Sequence, residues 1–298
     1  MILNMDYRPE RTPDSIEWFR DRGETPPIVS ISDIHGYLEA ARNALTAVGE
    51  TEAFDPIVTT DEDGRLHWAG NDYLLLINGD LIDRGDQNRE CLALLERLAG
   101  EAPPGHVRYH IGNHEMAVLF PERFRWPGVY SIDLDDDLRR SFIGHVAAGD
   151  ITVAFEGYQH TYSHAGANEA FDVEVANEQA RKAGRRLLTL LDEGRYDDEQ
   201  LTVVEDYELV FGTGGTFGRG ASAGLLWMDF KHMQESAPPQ IVGHSRHLQP
   251  TRNGNAICQN VIRDNLDSPG GEAVVIESPD EVLAVTNTSR GATVSKFE

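Results

Sequence analysis

Five short strings along this 298-residue chain combine carboxylate, imidazole and amide side chains. Such oxygen and nitrogen donors suit divalent ions such as manganese, iron or zinc. The strings contain no cysteine, which disfavours a structural zinc site built on thiolates. We therefore predict a site for two metal ions, assembled from residues far apart in sequence. The strings are, in chain order, Ser32-Asp33-Ile34-His35-Gly36, Gly79-Asp80-Leu81-Ile82-Asp83-Arg84-Gly85, Gly112-Asn113-His114-Glu115, Ser163-His164-Ala165-Gly166 and Gly243-His244.

Three of these strings directly follow apolar stretches that predict buried strands. The stretches cover residues 28–31, 73–78 and 107–111, and helical patterns over residues 37–48 and 88–99 come after the first two strings. Open α/β sheets bind ligands beyond the carboxyl ends of their strands. The pattern therefore predicts an α/β fold in which the three strings meet at one site.

The second half of the chain has a less regular pattern. Two segments, near residues 121–150 and 192–224, have no clean period and are interpreted as loops or specificity insertions. Between and after them, short apolar runs and one long helical pattern are recognisable. The predicted elements are paired strands at residues 151–155 and 159–163, a helix over 168–191, a strand at 240–242, and a closing hairpin at 273–277 and 282–286.

Acidic residues outnumber basic ones by 50 to 26, and the formal net charge is -24. Such a surface repels nucleic acid phosphates and anionic membranes, so neither is an expected partner. The basic residues are mostly arginine, because the lysines are only Lys182, Lys231 and Lys296. Two interpretations stay open: adaptation to a salt-rich cytoplasm, and a generically acidic enzyme from a GC-rich genome.

The sequence carries no signal for membrane insertion or export. No run of eighteen apolar residues is present, and the first residues turn polar too soon for a signal peptide. Cys91 and Cys258 are the only cysteines, so no disulfide framework is expected. We expect a soluble, cytoplasmic protein, whose oligomeric state the sequence does not determine.

The order and spacing of the five strings resemble the calcineurin-like metallophosphoesterases. The Asp83-Arg84-Gly85 extension narrows the resemblance to the phosphoprotein phosphatase superfamily, in its bacterial-like Ser/Thr branches and the related symmetrical dinucleoside-tetraphosphate hydrolases. The match is close over residues 28–120. It implies a four-layer α/β/β/α sandwich with mixed sheets, formed by residues 28–298 after an N-terminal extension, residues 1–27.

The resemblance also implies two bound divalent ions, with manganese as the expected metal and iron or zinc as alternatives. One carboxylate shared between two such ions holds them close enough to trap a single hydroxide, which then attacks phosphorus. The implied ligands are Asp33 and His35 for the first ion, Asp80 as the bridge, and Asn113, His164 and His244 for the second.

Three further residues take distinct roles in the same resemblance. His114 donates a proton to the leaving oxygen, and Asp83 forms a hydrogen bond with the other ring nitrogen of His114. Arg84 binds phosphate oxygens through its planar guanidinium group. Asn113 is a further substrate contact. The superfamily supplies a second phosphate-binding arginine, and bacterial-like branches carry it just after a tryptophan.

In this chain the stretch that follows Trp227 supplies Asp229 and no arginine. Two arginines elsewhere are candidates for the missing phosphate contact. Arg219 lies in a glycine-rich stretch that allows close approach to a phosphate, and Arg246 lies beside His244. The absence of an arginine after Trp227 therefore affects the prediction of which substrate is bound, and does not affect the predicted hydrolysis of a phosphate ester.

These features predict an enzyme that hydrolyses phosphate monoesters, with phosphoserine or phosphothreonine in proteins as the first substrate and a small phosphate ester as the other kind of partner. One alternative is hydrolysis of dinucleoside polyphosphates. An alternative of another class is a non-catalytic scaffold that binds metal and presents peptides through its insertions.

Overall fold

The computed structural model describes residues 13–215 and 218–297. Its strands are β1 Ile28–Ile31, β2 Val58–Thr60, β3 Leu66–Trp68, β4 Leu74–Ile77, β5 Val107–His110, β6 Ile151–Thr152, β7 Ala154–Glu156, β8 Thr161–Ser163, β9 Gln240–Val242, β10 Thr251–Asn253, β11 Ala256–Cys258, β12 Gly270–Glu277, β13 Val282–Thr288 and β14 Gly291–Lys296. Its α-helices are α1 Glu17–Arg20, α2 Leu38–Gly49, α3 Asn88–Glu101, α4 Asn113–Leu119, α5 Pro121–Phe124, α6 Asp136–Ala148, α7 Val173–Asp192, α8 Tyr196–Asp206 and α9 Glu208–Phe211, with short 3-10 helices at Phe230–His232 and Ile262–Asp264.

Two mixed sheets carry the fold. The larger has the strand order β14-β13-β12-β1-β4-β5-β6, in which β1, β4, β5 and β6 run parallel and the other neighbours antiparallel. The smaller has the order β10-β11-β9-β8-β7, with β8, β9 and β11 parallel. β2 and β3 form a separate hairpin.

Strand alternation explains how the two sheets stack. Along β4, Leu74 and Leu76 belong to the core between the sheets, together with Ile241 of β9. Leu75 and Ile77 point the other way, into the core shared with the helices. Because both faces of β4 are covered, its sequence is continuously apolar. The predicted four-layer α/β/β/α sandwich is confirmed.

The helices in two segments correct the sequence interpretation. Residues 121–150 and 192–224 were expected to be loops, yet they contain α5, α6, α8 and α9. In α6, the side chain of Asp135 caps the first turn and Gly149 ends the helix in a left-handed conformation. The buried face of α6 consists of Arg139, Phe142, Ile143 and Val146, and the arginine on this face hid the helical period. Whether the segments are insertions stays a prediction.

Part of the predicted N-terminal extension packs into the sandwich. Ile16 and Phe19 are fully buried between the two sheets, and the backbone N–H of Ile16 donates to the carbonyl of Glu156 at 2.8 Å. The proposed limits, residues 1–27 and 28–298, stay a prediction, and residues 1–12 lie outside the described part. Among the described helices, none combines the length and apolarity needed to cross a membrane.

Candidate active site

The six predicted metal ligands all lie just past the carboxyl ends of strands, and the structure brings them together. The carboxyl ends of β1, β4 and β5 come from the larger sheet, and those of β8 and β9 from the smaller. All six side chains are buried. The residues are Asp33, His35, Asp80, Asn113, His164 and His244.

Asp80 occupies the middle of this group. Its Oδ2 lies 3.5 Å from His35 Nε2 and 3.4 Å from His164 Nε2. On the far side, Asn113 Oδ1 lies 3.2 Å from His164 Nε2 and 2.8 Å from His244 Nδ1. One carboxylate oxygen therefore has an imidazole on each side of it.

The backbone at the site is unusually strained. Among the described residues, eight that are not glycine have a positive φ, and seven of them belong to these strings or to the Arg219 loop. Such conformations cost about 1–3 kcal/mol each and persist where the surrounding structure enforces them. The seven are Asp33, His35, Asp80, Asp83, Arg84, Arg219 and His244. At Gly112, any side chain would collide with Asp80, so only glycine allows that approach.

Glu115 holds the strained loops, a role that the sequence interpretation missed. Its buried carboxylate accepts the backbone N–H groups of Asp80 at 2.8 Å, Leu81 at 2.9 Å and Ile82 at 3.3 Å. It also accepts the N–H of Gly112 at 2.7 Å. The available signal was a glutamate three residues after Gly112, the residue that caps the start of α4.

His114 and Asp83 form a pair beside the ligand group. Asp83 Oδ2 lies 2.6 Å from His114 Nδ1, and Arg84 Nη2 lies 3.2 Å from His114 Nε2. The backbone N–H of Asp83 donates to Asn88 Oδ1 at 2.6 Å, which secures the left-handed turn. Asp83 and His114 are buried, whereas Arg84 is exposed.

Buried polar atoms without partners indicate that the group suits metal ions. Asp33 Oδ1 and His244 Nε2 are both buried and make no hydrogen bond within the described residues. Asp80, His164 and His244 offer ligand atoms that all lie within 4.8 Å of one another, and so do His35, Asp80 and His114. Carboxylate and imidazole donors in this number fit borderline divalent ions.

Burial and mutual charge shape the ionisation of the site. Burial raises the pKa of Asp33 to about 7, opposed by His164 and reinforced by Asp80. Burial lowers the pKa of His35 to about 3 and that of His244 well below its usual range. Although burial opposes it, the Asp80 carboxylate raises the pKa of His164 to about 10. His35 and His244 are therefore neutral, the form in which imidazole binds metal.

The two predicted substitute arginines differ in their surroundings. Arg219 Nη2 pairs with Asp229 Oδ1 at 2.7 Å, and that oxygen is 3.9 Å from His244 Nε2. Arg219 thus lies at the rim of the ligand group. Arg246 pairs instead with Asp264.

The sequence interpretation overlooked Arg263, which lies in the short 3-10 helix Ile262–Asp264. Burial, and then the positive charges of Arg84 and Arg246, lower the pKa of Arg263. The positive charge of Arg263 in turn contributes to lowering the pKa of His35, after burial and other larger effects. No local pattern marked this residue, because its nearness to the site depends on how the chain folds.

Aromatic rings form one wall of the site. Trp126 lies 4.9 Å from the ring of His114, between ring centroids, and Trp227 lies 6.2 Å from that of His244. Phe124 stacks on Trp227 at 5.3 Å. Phe124 and Trp126 remain partly exposed, so the wall presents an apolar surface next to the His114–Asp83 pair.

A family model described as calcineurin-like phosphoesterase matches residues 26–249 of this chain. The chain belongs to the calcineurin-like phosphoesterase family. Its candidate ligand group lies within the matched region. The family identification confirms the resemblance that the five strings predicted.

Similarity to individual proteins is more limited. The chain is 30% identical over 113 residues to Shewanella-like protein phosphatase 2 of Arabidopsis thaliana, which is 37% of this chain and 26% of that protein. The chain thus spans about a quarter of the length of that relative. The solved cold-active protein-tyrosine phosphatase of a psychrophilic Shewanella species has a TM-score of 0.60 at 15% identity, covering 98% of this chain and 85% of its own. At that identity the likeness supports the fold alone.

We expect metal binding to release protons. The pKa of Asp33 is raised to about 7 and that of His164 to about 10, so both groups hold protons in the metal-free protein at lower pH. Ligands must be deprotonated to bind metal. The apparent affinity for Mn²⁺ should therefore fall by about tenfold for each pH unit and each proton displaced as the pH is lowered from about 8 to about 6.

Isothermal titration in two buffers that differ in ionisation enthalpy measures the proton release directly. An affinity that does not change over this pH range would contradict the assignment of these ionisation states.

Proposed function

We propose that this phosphoesterase binds two divalent metal ions and hydrolyses phosphate monoesters in proteins. The observation that carries the proposal is the position of Asp80 Oδ2 between His35 Nε2 and His164 Nε2, at 3.5 and 3.4 Å. An oxygen in that position can bond to both ions at once. The unbonded, buried Asp33 Oδ1 and His244 Nε2 supply further donors around it.

Each ion would take its ligands from a different part of the group. The metals, when bound, act as Lewis acids and make a water molecule nucleophilic near neutral pH. Manganese is the expected metal, with iron or zinc as alternatives, because the donors are nitrogen and oxygen without thiolate. The proposed ligands are Asp33 and His35 for one ion, Asp80 for both, and Asn113, His164 and His244 for the other.

His114 is proposed as the proton donor to the leaving oxygen, although its ring nitrogens also lie within reach of a metal. Its Nδ1 is engaged by Asp83 at 2.6 Å, which fixes the orientation of the ring. Its Nε2 faces the exposed Arg84 at 3.2 Å, on the side where substrate enters. Arginine can only donate, so Nε2 accepts from Arg84 in this structure. When Arg84 instead binds a phosphate, Nε2 would be free to carry a proton to the departing oxygen, while Asp83 retains the proton on Nδ1.

Arginine side chains are proposed to hold the phosphate. Arg84 presents a planar fork beside His114, and Arg219 is held at the rim by Asp229. Bacterial-like branches of the superfamily carry a phosphate-binding arginine near the position of Asp229. In this chain Asp229 would instead orient Arg219, which lies on a different loop. Asn113 stays a predicted substrate contact. Arg246 is not proposed as a phosphate ligand: the partner of Arg219, Asp229, lies 3.9 Å from His244, whereas no ion pair within the described residues links Asp264, the partner of Arg246, to the ligand group.

Alanine variants of the arginines test these assignments. A charge-assisted hydrogen bond contributes roughly 1.5–3 kcal/mol, so Arg84→Ala and Arg219→Ala should each lower kcat/KM by about 10- to 100-fold. Arg246→Ala is the matched control and should change kcat/KM by less than about threefold. If Arg219→Ala and Arg246→Ala behave alike, Arg219 does not bind phosphate. Arg263→Ala in the same series shows whether the overlooked arginine contributes.

The nature of the phosphorylated residue has two candidates. The Asp83-Arg84-Gly85 resemblance favours phosphoserine or phosphothreonine. The aromatic wall of Phe124, Trp126 and Trp227 favours phosphotyrosine, because an aryl leaving group would stack on Trp126 next to His114. A solved protein of the same fold is named a protein-tyrosine phosphatase, which motivates testing this candidate.

A panel of peptides distinguishes the candidates. Phosphoserine, phosphothreonine and phosphotyrosine are compared in one peptide context, with a dinucleoside tetraphosphate alongside, using Mn²⁺-loaded protein. If Trp126 contacts an aryl leaving group, Trp126→Leu should lower kcat/KM for the phosphotyrosine peptide by about 2- to 10-fold and spare the phosphoserine peptide. Turnover of the dinucleotide alone would replace the phosphoprotein assignment with the alternative hydrolase.

Two single variants test the reaction itself. Asp80→Asn removes the shared carboxylate charge and should abolish activity and lower the metal content. His114→Asn removes the proton donor and should reduce kcat by roughly 100-fold or more. His232→Asn alters an exposed histidine outside the site and serves as the control.

Full activity in Asp80→Asn or His114→Asn would contradict the assigned roles. A protein that holds two metal ions, as measured by elemental analysis, yet is inert on every phosphate ester would favour the non-catalytic scaffold.

A further inference from the structure

Ser131 makes two short hydrogen bonds to Asp83 that have no role in the proposed function as described so far. Its backbone N–H donates to Asp83 Oδ1 at 2.8 Å, and its hydroxyl donates to Asp83 Oδ2 at 2.7 Å. The same Oδ2 lies 2.6 Å from His114 Nδ1. Asp83 and Ser131 are both fully buried. One serine therefore engages both oxygens of the carboxylate that faces the ring of His114.

Two contacts from one residue fix the carboxylate in a way that one contact does not. The terminal torsion of an aspartate is broad, so a carboxylate with a single partner rotates about its axis. With one donor on each oxygen, the plane of the Asp83 carboxylate is set, and Oδ2 points at Nδ1. Hydrogen bonds to an ionised acceptor are roughly twice as strong as neutral ones, so the arrangement is held firmly.

The segment that carries Ser131 is anchored by Arg139 of α6. This buried arginine donates to the carbonyl of Ile132 at 2.9 Å, to that of Leu134 at 3.3 Å and to that of Ser131 itself at 3.4 Å. It also donates to the carbonyl of Val118 at 2.6 Å. Val118 belongs to α4, the helix whose first turn contains His114. Arg139 thus ties the segment to the helix that presents the imidazole.

We propose that Ser131 is a positioning residue for the His114–Asp83 pair, and that Arg139 holds it in place. The inference rests on the proposed function, in which His114 protonates the leaving oxygen. Ser131 acts through Asp83 and not on the substrate. Ser131 lies in the segment 121–150, which the sequence predicts as a loop or specificity insertion, and under this proposal that segment contributes to the protonation step.

Leaving-group dependence separates this role from a merely structural one. Phenyl phosphate and p-nitrophenyl phosphate carry the same phosphoryl group, but phenoxide is the more basic leaving group and needs the proton more. Ser131→Ala should lower kcat for phenyl phosphate by about tenfold, part of the 10²–10⁴ that general acid catalysis supplies. The loss for p-nitrophenyl phosphate should stay below about twofold.

Asp135→Ala is the matched control on the same segment. Asp135 caps α6 by accepting the N–H of Leu138 at 2.8 Å. Asp135→Ala should change kcat for phenyl phosphate and kcat for p-nitrophenyl phosphate by the same factor. Ser131→Cys keeps nearly the same side-chain volume but donates weakly. Ser131→Cys should also lower kcat for phenyl phosphate more than kcat for p-nitrophenyl phosphate. It is the variant to measure if Ser131→Ala does not fold.

A second readout needs neither metal nor turnover. The proton on His114 Nδ1 gives a downfield proton NMR signal, assigned by its disappearance in His114→Asn. Ser131→Ala should shift that signal or lose it to exchange, while Asp135→Ala should leave it in place. A signal that is unchanged in Ser131→Ala would overturn the proposal, as would an equal kinetic loss on both esters.

Asp83→Asn and His114→Asn distinguish failure of this inference from failure of the proposed function. Both should show the same selective loss on phenyl phosphate, and more strongly than Ser131→Ala. If they slow both esters equally, the proton-donor role of His114 is wrong and the inference falls with it. If they are selective and Ser131→Ala is not, only the positioning role is rejected.

Discussion

The geometry of the site depends on the buried carboxylate of Glu115. Four backbone N–H groups converge on it, three from the loop after β4 and one from Gly112 after β5. Those two loops carry Asp80, the His114–Asp83 pair and Asn113, for which we propose the roles of bridging ligand, proton donor and amide ligand. A buried carboxylate is costly unless its oxygens are satisfied, and here the donors are backbone groups that have few other partners. The loops and the glutamate therefore stabilise one another.

The site also depends on both sheets at once. Asp33, His35 and Asp80 follow strands of the larger sheet, whereas His164 and His244 follow strands of the smaller one. The apolar faces between the sheets set their separation, and with it the spacing of the two histidines from Asp80. A shift in the packing of the sheets would therefore move the ligands apart, although no ligand itself had changed.

Sequence patterns predicted the sandwich, and because strand ends converge in α/β folds the structure also brings the six predicted ligands together; their role as ligands stays a prediction. The sequence patterns failed for α6, whose buried face includes Arg139, and for α8, whose buried face is limited to Tyr196, Gln200, Val203 and Val204. They also missed Ser131, which meets Asp83 across 48 positions of the chain. A buried serine has no local signature, and its partner is set by tertiary packing alone. The same reason explains why Arg263 was overlooked and why the ion pair of Arg246 was not foreseen.

The cluster of arginines at the rim of the site stands out against a chain of net charge -24. A strongly acidic surface concentrates cations around the molecule and depletes anions. Metal loading and substrate capture therefore place opposite demands on the same electrostatic field. At the rim, Arg84, Arg219 and Arg263 place positive charge next to the candidate ligand group, and under the proposed function this local charge would attract the phosphate of a substrate. Ions in solution weaken both effects, and they weaken the long-range repulsion before the short-range attraction.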